Sequence, residues 1–217
     1  MNASLVVDER VTTLLRDAAE WRLLGRLFEC PTREWRDDVA RLCDEVASPE
    51  VRDAAHQALA VAEEGLHHSV FGPGGPAPPR EASYHASVEL GSLMSALAGE
   101  YAAFAYEPAL AEPGDHIAVE VGFIAYLRLK QAFALAQGET EAAESCARSV
   151  TRFLAEHLAP VAHPLAGLLA NSGVDYLAQA SSMVAARSGP APQPRQLPVI
   201  QPPSTDDDGG GEFACDI

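Results

Sequence analysis

The stretch DHIAVEVGFIAYLRLKQAFALAQG, residues 115–138, decides the fold class of this sequence. It opens with Asp115, a residue type that commonly caps the start of a helix, and closes with Gly138, a residue type that commonly ends one. Between them, apolar residues fall on nearly every side of a helix: Ile117, Val119, Val121, Phe123, Ile124, Tyr126, Leu127, Leu129 and Phe133. Such a helix must be enclosed by other elements. We therefore expect a buried central helix over residues 115–136.

Helical periodicity continues on both sides of this stretch. Apolar residues recur every three or four positions, and proline and glycine mark the breaks. The predicted helices are 11–28, about 32–47, about 49–66, about 88–105, the central helix, about 140–158, and shorter pieces separated by Pro160 and Pro164 that end near Arg187. No segment shows the sustained period of two that is typical of a β-strand. We predict an all-α, single-domain helical bundle over residues 1–187.

Residues 188–217 differ in composition from the rest of the chain. They read SGPAPQPRQLPVIQPPSTDDDGGGEFACDI, which is Pro-rich and then acidic and Gly-rich. Such a segment cannot bury enough apolar surface to fold, so we predict a disordered, solubilising tail. The alternative is a tail that serves as an extended ligand or an autoinhibitory arm.

The overall charge excludes several classes of function. Over 217 residues, 31 acidic residues outnumber 15 basic ones, which gives a formal net charge of −16. A chain of this charge repels nucleic acids and anionic membranes, so neither is an expected partner. No apolar run resembles a signal peptide or is long enough to span a bilayer, which predicts a soluble cytoplasmic protein.

The four cysteines, Cys30, Cys43, Cys146 and Cys215, match neither the paired spacing of zinc sites nor a compact disulfide framework. We expect them to be reduced thiols. Neither a metal nor another cofactor is predicted for the chain.

The negative charge is concentrated in residues 81–127, which contain no Lys or Arg. The stretch holds seven acidic residues: Glu81, Glu89, Glu100, Glu107, Glu112, Asp115 and Glu120. One interpretation is a set of solvated helix faces, partly paired with arginines of residues 1–80. The other is an acidic site for a basic peptide, whose arginines would make charge-assisted bonds to carboxylates.

The turn Glu112-Pro113-Gly114-Asp115-His116 is the strongest candidate for a functional site. Pro113 and Gly114 end one helix, and Asp115 is placed to cap the next. His116 and Glu120 share a helix face, and they offer only two metal ligands where a zinc or iron site needs at least three. Glu120 would favour a protonated His116, whereas the helix N-terminus would oppose it, and the sequence leaves this open. The turn could also be purely structural.

The loop FGPGGPAPP, residues 71–79, forbids helix and predicts a stiff, extended connection. It lacks the Lys-Ser/Thr pair of a phosphate-binding loop. No nucleophile with an evident base occurs in the sequence, so nothing in it predicts hydrolysis.

These two motifs resemble those of the TorD/DmsD family of molybdoenzyme chaperones. The first motif of the family is present as Phe71-Gly72-Pro73-Gly74, Pro78-Pro79 and Glu81-Ala82-Ser83-Tyr84. The second motif, Glu-Pro-x-Asp-His, is present as residues 112–116, and an apolar helix with Glu120 follows it. The resemblance covers about residues 10–187. Two departures are Arg80, where the family often has an aromatic residue, and the lack of an aromatic residue after His157-Leu158.

The resemblance implies a cytoplasmic chaperone, monomeric or homodimeric, rather than an enzyme. Its partner would be the catalytic subunit of a molybdopterin-dependent oxidoreductase, held by its twin-arginine leader until the cofactor is inserted and export can follow. The implied peptide-binding residues are Tyr84, Glu112, Asp115, His116 and Glu120, supported by a structural loop of Phe71, Gly72, Pro73, Pro78, Pro79 and Glu81. Carboxylates beside an apolar surface suit such a leader. Two alternatives remain: a metal- or nucleotide-dependent enzyme using His116 and Glu120, and a scaffold acting through the tail.

Overall fold

The computed structural model describes residues 8–85 and 89–192, and within these ranges the chain forms nine α-helices and no β-strand. The helices are α1 (Glu9–Arg26), α2 (Arg33–Glu45), α3 (Pro49–Val61), α4 (Glu64–Phe71), α5 (Leu90–Ala103), α6 (Ile117–Ala136), α7 (Thr140–Phe153), α8 (Ala159–Leu169) and α9 (Asp175–Arg187). A 3₁₀ turn covers Glu81–Tyr84, and a π-helical turn covers Leu154–Leu158. The prediction of an all-α, single-domain bundle is confirmed.

Helix α6 lies at the centre of the bundle, as its apolar sequence predicts. It packs along α1 on one side and α7 on another, while α9 lies against α3 and α8. Ile117, Phe123 and Leu127 are fully buried in this core. The helix begins two residues later than predicted, because His116 rather than Asp115 is its N-cap: the backbone N–H of Ala118 donates to the His116 Nδ1 atom.

The predicted helix from residue 49 to 66 is wrong, because it is two helices in the structure. Helix α3 ends at Val61, and Ala62 adopts an extended backbone and is buried. The guanidinium of Arg36 donates to the carbonyl oxygens of Leu59 and Ala62, which satisfies the end of α3 from outside the helix. The chain then restarts as α4 at Glu64.

The predicted break at Pro160 and Pro164 is also wrong. Helices α7 and α8 are joined by the π-helical turn, and both prolines lie inside α8. Proline has no N–H and crowds the carbonyl four residues before it. The wider turn changes the hydrogen-bond pattern just before the prolines, where the N–H of Ala159 donates to the carbonyl of Leu154. The helical path therefore continues, with His157 on the turn.

Most of the predicted tail lies outside the described residues, and so does Cys215, so the disorder of residues 193–217 stays a prediction. The start of the predicted tail contacts the bundle: Ser188 is buried, and the Nε2 atom of His163 lies 2.9 Å from the carbonyl oxygen of Gly189, whereas residues 189–192 are exposed. Of the helices that the structure describes, none combines the length and the hydropathy required to cross a lipid bilayer.

Candidate functional site

The two sequence motifs meet in the structure through paired backbone segments. The N–H of Ile117 donates to the carbonyl of Pro79, and the N–H of Glu81 donates to the carbonyl of Asp115, both at 2.8 Å. The pairing forms an isolated antiparallel bridge between Arg80 and His116. We call this contact, residues 78–84 with residues 113–120, the motif junction. It attaches the end of the Gly/Pro loop to the start of the central helix.

The loop of residues 71–79 folds back on itself instead of extending. The N–H of Gly75 donates to the carbonyl of Gly72, and the N–H of Ala77 donates to that of Val70. A Cβ atom at Gly72 or Gly75 would collide with a backbone carbonyl oxygen, and Gly74 has a φ of +83°. The glycines and prolines of this motif therefore shape a tight turn that leads the chain to Pro78 and Pro79.

Asp115 is fully buried and forms an ion pair with Arg80. Both Nε and Nη2 of the guanidinium lie 2.8 Å from the Asp115 Oδ1 atom. The other carboxylate oxygen accepts from the N–H of Ala82 at 3.3 Å. Arg80 immediately precedes the stretch without bases, so the residue that departs from the family pattern supplies the counter-ion of Asp115.

Glu81 is also fully buried, and two histidines contact its carboxylate. The Nε2 atom of His85 lies 2.7 Å from Oε1, and the Nδ1 atom of His157 lies 3.2 Å from Oε2. His157 stands on the π-helical turn and stacks on Phe153, with ring centroids 4.9 Å apart. No sequence pattern indicates this contact, because it depends on the irregular turn between α7 and α8.

Glu120 is fully buried, and neither of its carboxyl oxygens has a hydrogen-bond partner among the described residues. Burial raises its pKa well above the usual range, and the neighbouring charges of Glu81 and Asp115 raise it further. Its surroundings therefore favour the protonated, neutral form of Glu120.

His116 is neutral as well, which answers the question that its sequence position left open. Burial lowers its pKa to about 4, against a smaller favourable influence of Asp115. The Nδ1 atom accepts a hydrogen bond from the backbone, so it carries no proton in this geometry. With His116 serving as a helix cap and Glu120 neutral, this geometry lends no support to an enzyme that uses the pair.

The five predicted peptide contacts differ in accessibility. Glu112 is exposed, and Tyr84 is half-buried with its hydroxyl donating to the carbonyl of Pro78 at 2.6 Å. Asp115, His116 and Glu120 are at most 3% exposed, so a ligand could contact them only if the motif junction opened, and their role in peptide binding stays a prediction. The acidic stretch is partly neutralised internally: Arg80 pairs with Asp115, and Arg152 pairs with Glu100 at 2.7 Å.

A mostly apolar groove lies between α1 and α6, with a volume of about 460 Å³. Its apolar floor comes from Leu15, Ala18, Ala19, Gly25, Ala118, Gly122, Ala125 and Leu129. Charged side chains of both signs also line it, namely Arg22, Arg26, Glu29 and Glu45. Tyr106, Glu107 and Leu110, from the loop between α5 and α6, form one wall. Leu15 and Leu129 are 43% and 51% exposed, which leaves apolar surface available to a partner. The nearly continuous apolar sequence of α6 predicts a helix enclosed on every side, so this groove is not apparent from the sequence.

A second feature that the sequence analysis missed is a set of possible metal ligands, Cys30, Glu64 and His68. Cys30 follows α1, whereas Glu64 and His68 lie on α4. The spacing along the chain gives no signal for this set, because only the packing of α4 brings its residues together.

Comparison with known proteins identifies one family. A protein-family model described as the nitrate reductase delta subunit matches residues 30–166. The matched segment contains both motifs, the motif junction and the whole of α6. No curated protein matches the chain.

Proposed function

As the chain belongs to the nitrate reductase delta subunit family of molybdoenzyme maturation chaperones, we propose that it binds the twin-arginine leader of its client enzyme. The client is the catalytic subunit of a molybdopterin-dependent oxidoreductase. Binding keeps the apoprotein competent for cofactor insertion and delays export until insertion is complete. This activity takes place in the cytoplasm.

The proposal rests on the groove between α1 and α6 and on the loop beside it, which connects α5 to α6 and carries Glu107 and Glu112. We call this connection the acidic loop. A twin-arginine leader joins two arginines to an apolar segment. The groove offers apolar surface of the right kind, and the exposed carboxylates of Glu107 and Glu112 lie on the loop that forms its wall. Leu110 of the same loop lines the groove, so the apolar and acidic surfaces are continuous.

In this proposal the buried residues of the motif junction hold the loop instead of contacting the leader. Asp115 and His116 fix the position of the chain where it leaves the acidic loop, and Glu120 lies on the first turn of α6 behind them. Glu112 contacts the arginines directly, whereas Tyr84, whose hydroxyl donates to the carbonyl of Pro78, belongs to the motif junction.

The proposal is tested by measuring the affinity of a synthetic twin-arginine leader peptide for the full-length chain. We expect Leu15→Ser to weaken binding about fivefold, because it removes apolar surface from the groove. Val61→Ser is the matched control, since Val61 is similarly exposed and lies on α3, away from the groove.

The acidic half of the site is tested with the double variant Glu107→Gln/Glu112→Gln. We expect about tenfold weaker binding of the leader, whereas Glu139→Gln, at another exposed position, leaves the affinity unchanged. Raising the salt concentration toward 1 M should weaken the wild type more than the double variant, because the Debye length falls from about 10 Å at 0.1 M to about 3 Å. Wild-type affinity in folded groove and loop variants would exclude this site.

A further inference from the structure

Cys30, Glu64 and His68 converge on one side of the bundle, outside the groove and the motif junction. Their ligand atoms, a thiol sulfur, a carboxylate oxygen and an imidazole nitrogen, all lie within 4.8 Å of one another. The His68 Nε2 atom is 3.5 Å from the Glu64 Oε1 atom. Among the residues that the structure describes, these three side chains lie close enough together for their ligand atoms to hold one metal ion.

A contact between α4 and the segment that follows α1 brings these residues together. His67 is buried, and its Nε2 atom lies 3.3 Å from the carbonyl oxygen of Phe28. This contact anchors α4 beside the segment that carries Cys30. Glu64 and His68 are one helical turn apart, so both project from the same side of α4.

We propose that Cys30, Glu64 and His68 form a binding site for Zn²⁺, with a fourth position open to water or another ligand. Thiolate, imidazole and carboxylate are the three protein ligand types that zinc takes, usually in tetrahedral geometry. A set that includes a thiolate disfavours Mg²⁺ and Ca²⁺, which bind oxygen ligands.

The observed spacing suits such a site. Zinc–nitrogen and zinc–oxygen bonds of about 2.0–2.2 Å at the tetrahedral angle place the two ligand atoms about 3.4 Å apart. The His68 and Glu64 atoms are 3.5 Å apart. The side chains of His68 and Glu64 are 60% and 74% exposed, so both can change rotamer to bring the sulfur into range, and an ion can reach them from solvent.

Binding requires the Cys30 thiol to release its proton to solvent, since the thiolate is the ligand. Burial raises the pKa of the Cys30 thiol, and the carboxylates of Glu64 and Glu112 raise it further, so the ion must supply the charge that stabilises the thiolate. The carboxylate of Glu112 also interacts electrostatically with the neighbouring His67. It therefore adds negative charge next to the three ligands, which favours a divalent cation. The bound ion would link the segment after α1 to α4.

The test is titration of the metal-free, full-length chain with Zn²⁺ and with Co²⁺, whose thiolate complexes have a near-ultraviolet charge-transfer band. We expect one ion per chain and a higher melting temperature with Zn²⁺. Cys30→Ser should abolish the cobalt–thiolate band. Because loss of an outer partner of a metal ligand already weakens affinity about 10–100-fold, Cys30→Ser and His68→Gln should each weaken Zn²⁺ binding at least about tenfold.

Matched controls separate this site from other thiols and histidines. Cys215→Ser and His56→Gln, the latter at an exposed position on α3, should leave both the band and the affinity unchanged. Circular dichroism confirms that the variants are folded. The proposal is overturned if the wild type binds no stoichiometric ion, if Cys30→Ser and His68→Gln bind as the wild type does, or if the band disappears in Cys215→Ser instead.

Discussion

Glu120 shows how folding changes the chemistry of a single residue. In the sequence it is one of seven acids in a stretch without bases, and it was expected to attract a cation. In the structure it is fully buried, has no hydrogen-bond partner among the described residues, and lies near the charges of Glu81 and Asp115. Burying the protonated form of such a group costs less free energy than burying its ionised form.

We predict that Glu120→Gln is more stable relative to the wild type at neutral pH than at acidic pH, as measured by the free energy of unfolding. Folded Glu120 keeps its proton at pH values where the unfolded side chain, with a pKa near 4.5, has lost it. Wild-type stability therefore falls as the pH rises above that value, by about 1.4 kcal/mol per pH unit, while the variant has no such titration. The measurement is urea unfolding from pH 4.5 to 7, with the exposed Glu89→Gln as control. Parallel pH profiles of Glu120→Gln and wild type would show that Glu120 is ionised in the fold.

His116 gives a prediction of the opposite sign. Its folded pKa of about 4 lies below the ordinary value of 6.5, so the unfolded chain binds a proton first as the pH falls through this window. Stability contributed by neutral His116 is present above pH 6.5 and is lost toward pH 4. His116→Asn keeps a cap acceptor and should lose less stability than wild type between pH 7 and 5.

His116→Ala removes the cap acceptor, and we expect it to lower the free energy of unfolding by about 1–2 kcal/mol at pH 7. His116→Asn should recover most of this loss. The cap assignment fails if the alanine and asparagine variants are equally stable in urea unfolding.

At the scale of elements, the motif junction attaches a Gly/Pro loop to the first turn of the central helix. Two backbone hydrogen bonds and the Arg80–Asp115 ion pair make this connection. Asp115 is buried whereas the Arg80 side chain is 38% exposed, so the two partners are not equivalent. Removing the arginine leaves a buried charge, but removing the carboxylate leaves a cation that can turn to water.

We therefore expect Arg80→Met to lower the free energy of unfolding by about 3 kcal/mol and Asp115→Asn by about 1–2 kcal/mol. The double variant should lose less than the sum of the two, because it contains no unpaired charge. Urea unfolding of the four chains gives this coupling directly. Additive losses would mean that the ion pair does not stabilise the junction, and an unchanged Asp115→Asn variant would mean that Asp115 acts without its charge.

At the scale of the whole molecule, the acidic residues of the stretch 81–127 have different environments and do not form one site. Buried acids are paired with Arg80, contacted by histidines, or neutral, while Glu107 and Glu112 remain exposed beside an apolar groove. Glu89, Glu107 and Glu112 are the exposed acids of this stretch, and Glu107 and Glu112 are the two that lie on the loop forming a wall of the groove.

The domain boundary also belongs to this scale. We propose that it falls after Gly189 instead of Arg187, because Ser188 is buried and the carbonyl oxygen of Gly189 lies 2.9 Å from the His163 Nε2 atom. Removal of residues 190–217 should leave the melting temperature unchanged, whereas removal of residues 188–217 should lower it by a few degrees. Thermal unfolding of both shortened chains tests the boundary, and equal melting temperatures would place it at Arg187.

The sequence by itself determined the fold class, the central position of α6 and the two motifs that identify the family. These properties depend on local periodicity and on the order of residues along the chain, which a sequence displays directly. The positions at which helices end were harder to predict from the sequence. The divided helix at Ala62 and the continuous path through Pro160 depend on Arg36 and on a π-helical turn, neither of which has a local signature.

Only the tertiary structure decided which acidic residues are available to a partner. Glu112, Asp115 and Glu120 look alike in the sequence, yet one is exposed, one is paired with Arg80 and one is neutral. The same holds for Cys30 and His68, which meet only because α4 contacts the segment that follows α1. Burial and long-range neighbours set the ionisation and accessibility of a side chain, and both are properties of the packed chain rather than of its order of residues.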